Sequence, residues 1–290
     1  MIELRRVCMH RPGEPNQAVL DGVDLAVGPG QVALLSGPTG AGKSTLLGLL
    51  YAAQLADSGT VSVFGRDVAR LRRSSIALLR QCIGVVRQPP MLLEDRSALA
   101  NVALPLEIRG EARGTVKERA MNALEQVGLA EHADTNVGRF SIGQKQWIAV
   151  ARALVGEPYL VVADQPSTYF DATHCDRFVE ILITLQRRGT AAVVATNDYR
   201  LLHAGVEHGW SHLELKAGAV EVIADGEKEL RAPSNDAASS AGDHCESSDS
   251  DEYDLDDYDS IDIFIEDSNE ISPHNIISSP IYSHAEGAVE

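Results

Sequence analysis

The residues Gly37 to Thr45, GPTGAGKST, have the spacing G-x-x-x-x-G-K-[ST] that a phosphate cradle requires. Gly37, Gly40 and Gly42 free the backbone to turn, so that N–H groups of a loop that also contains Pro38, Thr39 and Ala41 face one cavity. The next run, KSTLLGLLYAAQ, is helix-patterned, and a helix N-terminus adds partial positive charge at the same place. Lys43 is placed for the β- and γ-phosphates of a nucleotide. The Ser44 hydroxyl, followed by Thr45, is placed for Mg²⁺. The run QVALL before the loop reads as a strand, and strand, loop and helix in that order imply ATP or GTP as the cofactor.

A second feature lies about 120 residues on, in VVADQPST, Val161 to Thr168. Asp164 closes a buried apolar strand, where a carboxylate can hold Mg²⁺ through water opposite Ser44. The position after it, where a second carboxylate would handle water, holds the amide Gln165.

These residues must be carried by an ordered sheet. Residues 1 to about 230 alternate short β-rich runs with helical ones, the pattern of an α/β domain. QVALLSG, LVVADQ and AAVVATND read as strands buried on both faces, with their chemistry at the C-terminal ends. A helical insert, about 91–156, includes VKERAMNALEQVGL and QWIAVARALVG; in the latter Trp147, Ile148, Ala151, Leu154 and Val155 share one face.

The charge is unevenly distributed. The chain has 42 acidic and 25 basic residues, net −17; residues 232–290 hold 16 of the acids and no Lys or Arg, leaving 26 against 25 in residues 1–231. The near-neutral body lacks the basic excess that nucleic acid demands, so no nucleic-acid partner is expected. The Ser/Asp-rich stretch after Arg231 predicts a disordered acidic tail over 231–290. Within it Ile261, Ile263 and Ile265 alternate, which suits either a strand added to a partner's sheet or a solvated spacer with incidental isoleucines. Cys8, Cys82, Cys175 and Cys245 show no paired spacing, which argues for reduced thiols in a cytoplasmic protein. No apolar run approaches the ~20 residues of a membrane span, and the first residues do not resemble a signal peptide.

At RFSIGQKQW the chain resembles a known family. Phe140 to Gln144 is similar to the L-S-G-G-Q signature of the ATP-binding cassette (ABC) ATPases, and it too opens a helix. Gln88 in VVRQPP stands in the place of the family's Q-loop, Asp171 in STYFDA in that of its D-loop, and VVATND in that of its switch segment. The resemblance covers about residues 1–225. Within the family, LRQCIGVVRQPPMLLEDRSALANVALPLEIRG is most similar to the cell-division ATP-binding subfamily, FtsE, with the lipoprotein-release and macrolide-export ATPases as near neighbours.

The resemblance implies a P-loop NTPase fold of ABC type: a RecA-like core, an antiparallel β subdomain and a helical signature subdomain. It implies a dimer, homo- or hetero-, that sandwiches two ATP molecules. Ser141, Gly143 and Gln144 would meet the nucleotide held by the opposite subunit, and Gln88 would join Ser44 and Asp164 near Mg²⁺. It also implies a membrane partner, a permease-like subunit of FtsX type, docking near Gln88 and holding the chain at the inner face of the plasma membrane.

The chain departs from the family's pattern at several positions. Gln165 replaces the family's Glu, the general base, and Asn197 replaces the switch His. Ile142 replaces the first signature glycine, Trp147 stands where a basic residue is usual, and the aromatic that stacks on adenine is missing, with His10 or Arg11 as substitutes. An amide cannot take a proton at neutral pH. Loss of a positioned base costs about 10²–10⁴ in rate, near 3–5 kcal/mol. Nucleotide binding with weak or absent hydrolysis is therefore expected. A basic stretch with Arg66, Arg70, Arg72, Arg73, Arg80 and Arg87 is expected to be a solvated helix face, or else a dock for the acidic tail.

Overall fold

The computed structural model describes residues 1–11 and 13–224. The expected acidic tail, the alternating isoleucines and the tail's docking all fall outside them. In chain order the elements are β1 (Ile2–Arg11), β2 (Glu14–Val27), β3 (Val32–Ser36), α1 (Lys43–Leu50), β4 (Ser58–Val63), β5 (Arg66–Asp67), α2 (Arg73–Gln81), β6 (Ile83–Val86) and α3 (Ala98–Ile108). They continue with α4 (Arg113–Gln126), α5 (Ile142–Leu154), β7 (Leu160–Asp164), α6 (Ala172–Arg187), β8 (Ala191–Ala195), α7 (Tyr199–Glu207), β9 (Ser211–Lys216) and β10 (Ala219–Ala224).

Six strands form one sheet in the order β10-β9-β3-β8-β7-β6, parallel except for β10. The other four, β2-β1-β4-β5, make an antiparallel sheet. The side-chain period of two sorts the large sheet's residues between two cores. Val32, Leu34, Val161, Ala163, Ala192 and Val194 face a core shared with α3, α4, α5 and α6. Ala33, Leu35, Leu160, Val162, Ala191 and Val193 face the other core, built with α1 and the antiparallel sheet. Both faces are covered, which is why these strands read as unbroken apolar runs.

Two expectations about the elements are corrected. The helix after the phosphate loop stops at Leu50 instead of running through YAAQ. Ala52 takes a left-handed φ of 55°, its N–H donates to Leu49 O, and Gln54 Nε2 donates back to Thr45 O at 2.7 Å. The basic stretch is solvated, with Arg66, Arg70, Arg72, Arg73, Arg80 and Arg87 all exposed, but it is not one helix face: Arg66 lies on β5 and only Arg73 and Arg80 lie on α2. Arg80 donates to Tyr51 O and Ala52 O beyond the end of α1, and Arg70 pairs with Asp67 at 3.2 Å.

Trp147, Ile148 and Ala151 on α5 and Val155 just past its end are buried, as their spacing predicts, with Leu154 packed half-buried against the same core. Trp147 stacks on Phe170 with ring centroids 4.6 Å apart and planes 12° from parallel; the Arg177 guanidinium lies 5.7 Å from the ring. An apolar face and a stacking partner explain an indole here, although its Nε1 has no hydrogen-bond partner.

Candidate functional site

The C-terminal ends of β3, β7 and β8 lie side by side, and a cleft of about 630 Å³ opens against them. From the phosphate loop Thr39, Gly40, Gly42, Lys43, Ser44 and Thr45 line it; Gln88, Asp164, Gln165 and Asn197 line it from the other side. Of the loop residues, Gly37, Pro38 and Ala41 do not line the cleft but shape its wall: Ala41 N–H donates to Pro38 O, and Gly42 caps α1 in a left-handed conformation, φ 104°. A Cβ on Gly42 would press on Val19 O at 2.9 Å, so the turn needs glycine for space as well as for φ.

Lys43 is only 7 % exposed. Its Nζ donates to Gly37 O at 2.6 Å and to Pro38 O at 2.9 Å, the cation being satisfied by the carbonyls of the loop it belongs to. Burial pushes its pKa down, and the Asp164 carboxylate opposes that shift. Ser44 is exposed in the first turn of α1, facing the cleft that Asp164 and Gln88 also line. A hydroxyl, an amide oxygen and one carboxylate are hard donors. Mg²⁺ is commonly held by one or two carboxylates with phosphates and water, and this set fits it. Among the described residues no group of three or more His, Cys, Asp or Glu forms a metal cage.

Gln165 sits immediately past β7 with φ 46°, a left-handed conformation that a non-glycine residue adopts only when its surroundings hold it there. Its N–H donates to Ala195 O at 2.9 Å, and its carbonyl accepts from Thr168 Oγ1 at 2.9 Å. The same Thr168 hydroxyl accepts from Gln88 Nε2 at 3.0 Å. A chain Gln88–Thr168–Gln165 thus ties the end of β6 to the turn after β7. Asn197 reaches the loop from β8, its Oδ1 accepting from Gly37 N–H at 3.1 Å.

His10 and Arg11, the expected substitutes for an adenine-stacking aromatic, both line the cleft. Asp57 Oδ2 accepts from His10 N–H at 2.6 Å and lies 3.0 Å from His10 Nδ1, and these two bonds hold the Asp57 carboxyl below its usual pKa.

Ser141, Gly143, Gln144 and Asp171 are not in the cleft. Ser141 caps α5 in a reciprocal box: its hydroxyl accepts from Gln144 N–H, and Gln144 Oε1 accepts from Ser141 N–H. Gly143 backs onto Tyr169 O, which a Cβ would meet at 3.0 Å. Ile142 between them is 45 % exposed, an apolar side chain presented at the helix start. Asp171 caps α6 through His174 N–H, and that bond with the His174 ring lowers its pKa. Thr168, Met9, Val19 and Gln54 line the cleft without having been singled out by any motif; only the fold brings them there.

The model of the ABC transporter family matches residues 20–168. The chain belongs to the ABC transporter family. The cell division ATP-binding protein FtsE of Streptococcus pneumoniae serotype 2 is 33 % identical over 203 residues, 70 % of this chain and 87 % of FtsE. The lipoprotein-releasing system ATP-binding protein LolD of Shewanella frigidimarina is 36 % identical over 227 residues, 77 % of this chain and 93 % of LolD. Among solved structures, the ATP-binding cassette MJ0796, as a dimer in a post-hydrolysis state bound to ADP and Pi, superposes with a TM-score of 0.71 at 28 % identity, over 80 % of this chain and all of that one. The fold is thus the ABC nucleotide-binding domain. The two sheets are its core and its antiparallel subdomain, and α3, α4 and α5 lie between β6 and β7. Among the described residues no helix is long and apolar enough to cross a membrane.

Proposed function

We propose that this chain is an ATP-binding subunit of FtsE type, which couples ATP binding to a permease-like membrane subunit in bacterial cell division while hydrolysing ATP slowly or not at all. One observation carries the reading. In a single cleft the phosphate-binding elements are complete, while the residue at the water end, Gln165, is an amide.

In this mechanism the loop amides and Lys43 receive the phosphates, with Lys43 exchanging Gly37 O and Pro38 O for phosphate oxygens. Ser44, Asp164 and Gln88 would hold Mg²⁺, which would supply positive charge against the nucleotide's phosphates. Gln165 orients a water but cannot deprotonate it, because a neutral amide has no basic site at physiological pH. Absence of the second carboxylate also removes repulsion against the γ-phosphate and favours the closed state. The Ser141–Gln144 segment, exposed at Ser141 and Ile142, and Asp171 then face a second subunit, identical or homologous; MJ0796 is itself a dimer. The chain would reach the inner face of the plasma membrane through its partner.

The similarity to LolD over 77 % of the chain favours a second reading, an ATP-binding subunit for lipoprotein release. Depletion in the native host separates the two. Undivided filaments are expected for the division role; normal division with lipoproteins retained in the inner membrane would overturn it in favour of the second.

A further inference from the structure

We infer that Asn197 is a positioning residue for the phosphate loop, locking Gly37 through its side-chain oxygen instead of meeting the γ-phosphate; the inference rests on the reading that the cleft holds nucleotide. Gly37 is buried and takes φ 138°, a conformation in which any Cβ would collide with the Leu215 carbonyl. Its carbonyl is occupied by Lys43 Nζ, and its N–H has Asn197 Oδ1 at 3.1 Å. One residue, through the two peptide groups that flank its Cα, therefore joins Asn197, the start of the loop and Lys43.

Asn197 is itself held on both sides. Thr196 N–H donates to Leu35 O at 2.9 Å, tying the end of β8 to β3. Thr196 Oγ1 accepts from Asp198 N–H, and Asp198 caps α7 through Arg200 N–H. With both flanks pinned, the amide is aimed at Gly37 before any ligand arrives, so the bond costs little further ordering. Because a backbone N–H can only donate, the atom facing it must be the amide oxygen, an acceptor at every pH; an imidazole nitrogen accepts only while unprotonated. The loop–switch connection in this chain is consequently insensitive to protonation.

The test measures Mg-ATP and Mg-ADP affinities of the full chain and of Asn197→Ala, together with amide exchange at Gly37 in nucleotide-free protein, with Asn197→Asp as the variant that keeps the acceptor. A bond of this kind predicts that Asn197→Ala weakens ATP and ADP by the same factor, about three- to tenfold. Gly37 exchange should accelerate in Asn197→Ala and stay slow in Asn197→Asp. A loss confined to ATP, or unchanged Gly37 exchange in Asn197→Ala, would overturn the inference. Failure of the unsubstituted chain to bind either nucleotide would instead remove the nucleotide reading, leaving the exchange result to decide the bond by itself.

Discussion

The β3–α1 side of the cleft works mainly through backbone: a loop of left-handed glycines, a helix start, and one lysine bound to the loop's own carbonyls. The β7 and β8 side works through side chains, Asp164, Gln165 and Asn197, carried on turns whose backbones are held equally firmly. A backbone cradle tolerates little change, because Gly37 and Gly42 have no room for a Cβ. Gln165 can stand at the end of β7 without disturbing the fold, since its backbone bonds to Ala195 and Thr168 do not depend on its side chain. The side chain at Gln165 and the backbone geometry of the cradle are therefore set by different parts of the molecule, and Asn197 joins the two halves through Gly37 N–H.

The largest expected effect comes from the side-chain half. Gln165→Glu returns a basic oxygen to the water end and should raise steady-state phosphate release by about 10²–10⁴. No rise would mean that something other than the missing base limits the reaction. Next is the stack that joins the signature helix to the segment after β7. Trp147→Ala removes a nearly buried indole from Phe170 and Arg177 and should cost about 3–4 kcal/mol in denaturant unfolding. Lys43→Ala probes the cradle, and should lower Mg-ATP affinity by about 100-fold while the circular dichroism spectrum stays unchanged. The smallest effect is at the signature cap: Ser141→Ala should cost about 1 kcal/mol in stability, and Ser141→Thr much less.

Much of the backbone half is legible in the sequence, because it depends on local spacing. GPTGAGKST between an apolar run and a helical one specifies strand, loop and helix at once, and the strands of the large sheet read as apolar because both faces are covered. The stop of α1 at Leu50 is not legible: Tyr51 to Gln54 have ordinary helix formers, and the chain turns where Arg80 claims the Tyr51 and Ala52 carbonyls and Gln54 folds back onto Thr45 O. The same holds for Thr168 between Gln88 and Gln165, for His10 against Asp57, and for Asn197 against Gly37, 160 residues apart in sequence. The amides at Gln165 and Asn197 show in the sequence; that Asn197 Oδ1 accepts from Gly37 N–H shows only once the sheet brings β3 and β8 together.

On the proposed reading this protein retains ATP and cleaves it slowly or not at all. The most direct measurement incubates the purified chain with Mg-ATP, separates protein from free nucleotide, and identifies what stays bound over several hours. Intact ATP on the protein, with phosphate release close to background, is the result expected. Bound ADP with phosphate accumulating at a rate ordinary for the family, or no bound nucleotide at all, would contradict it.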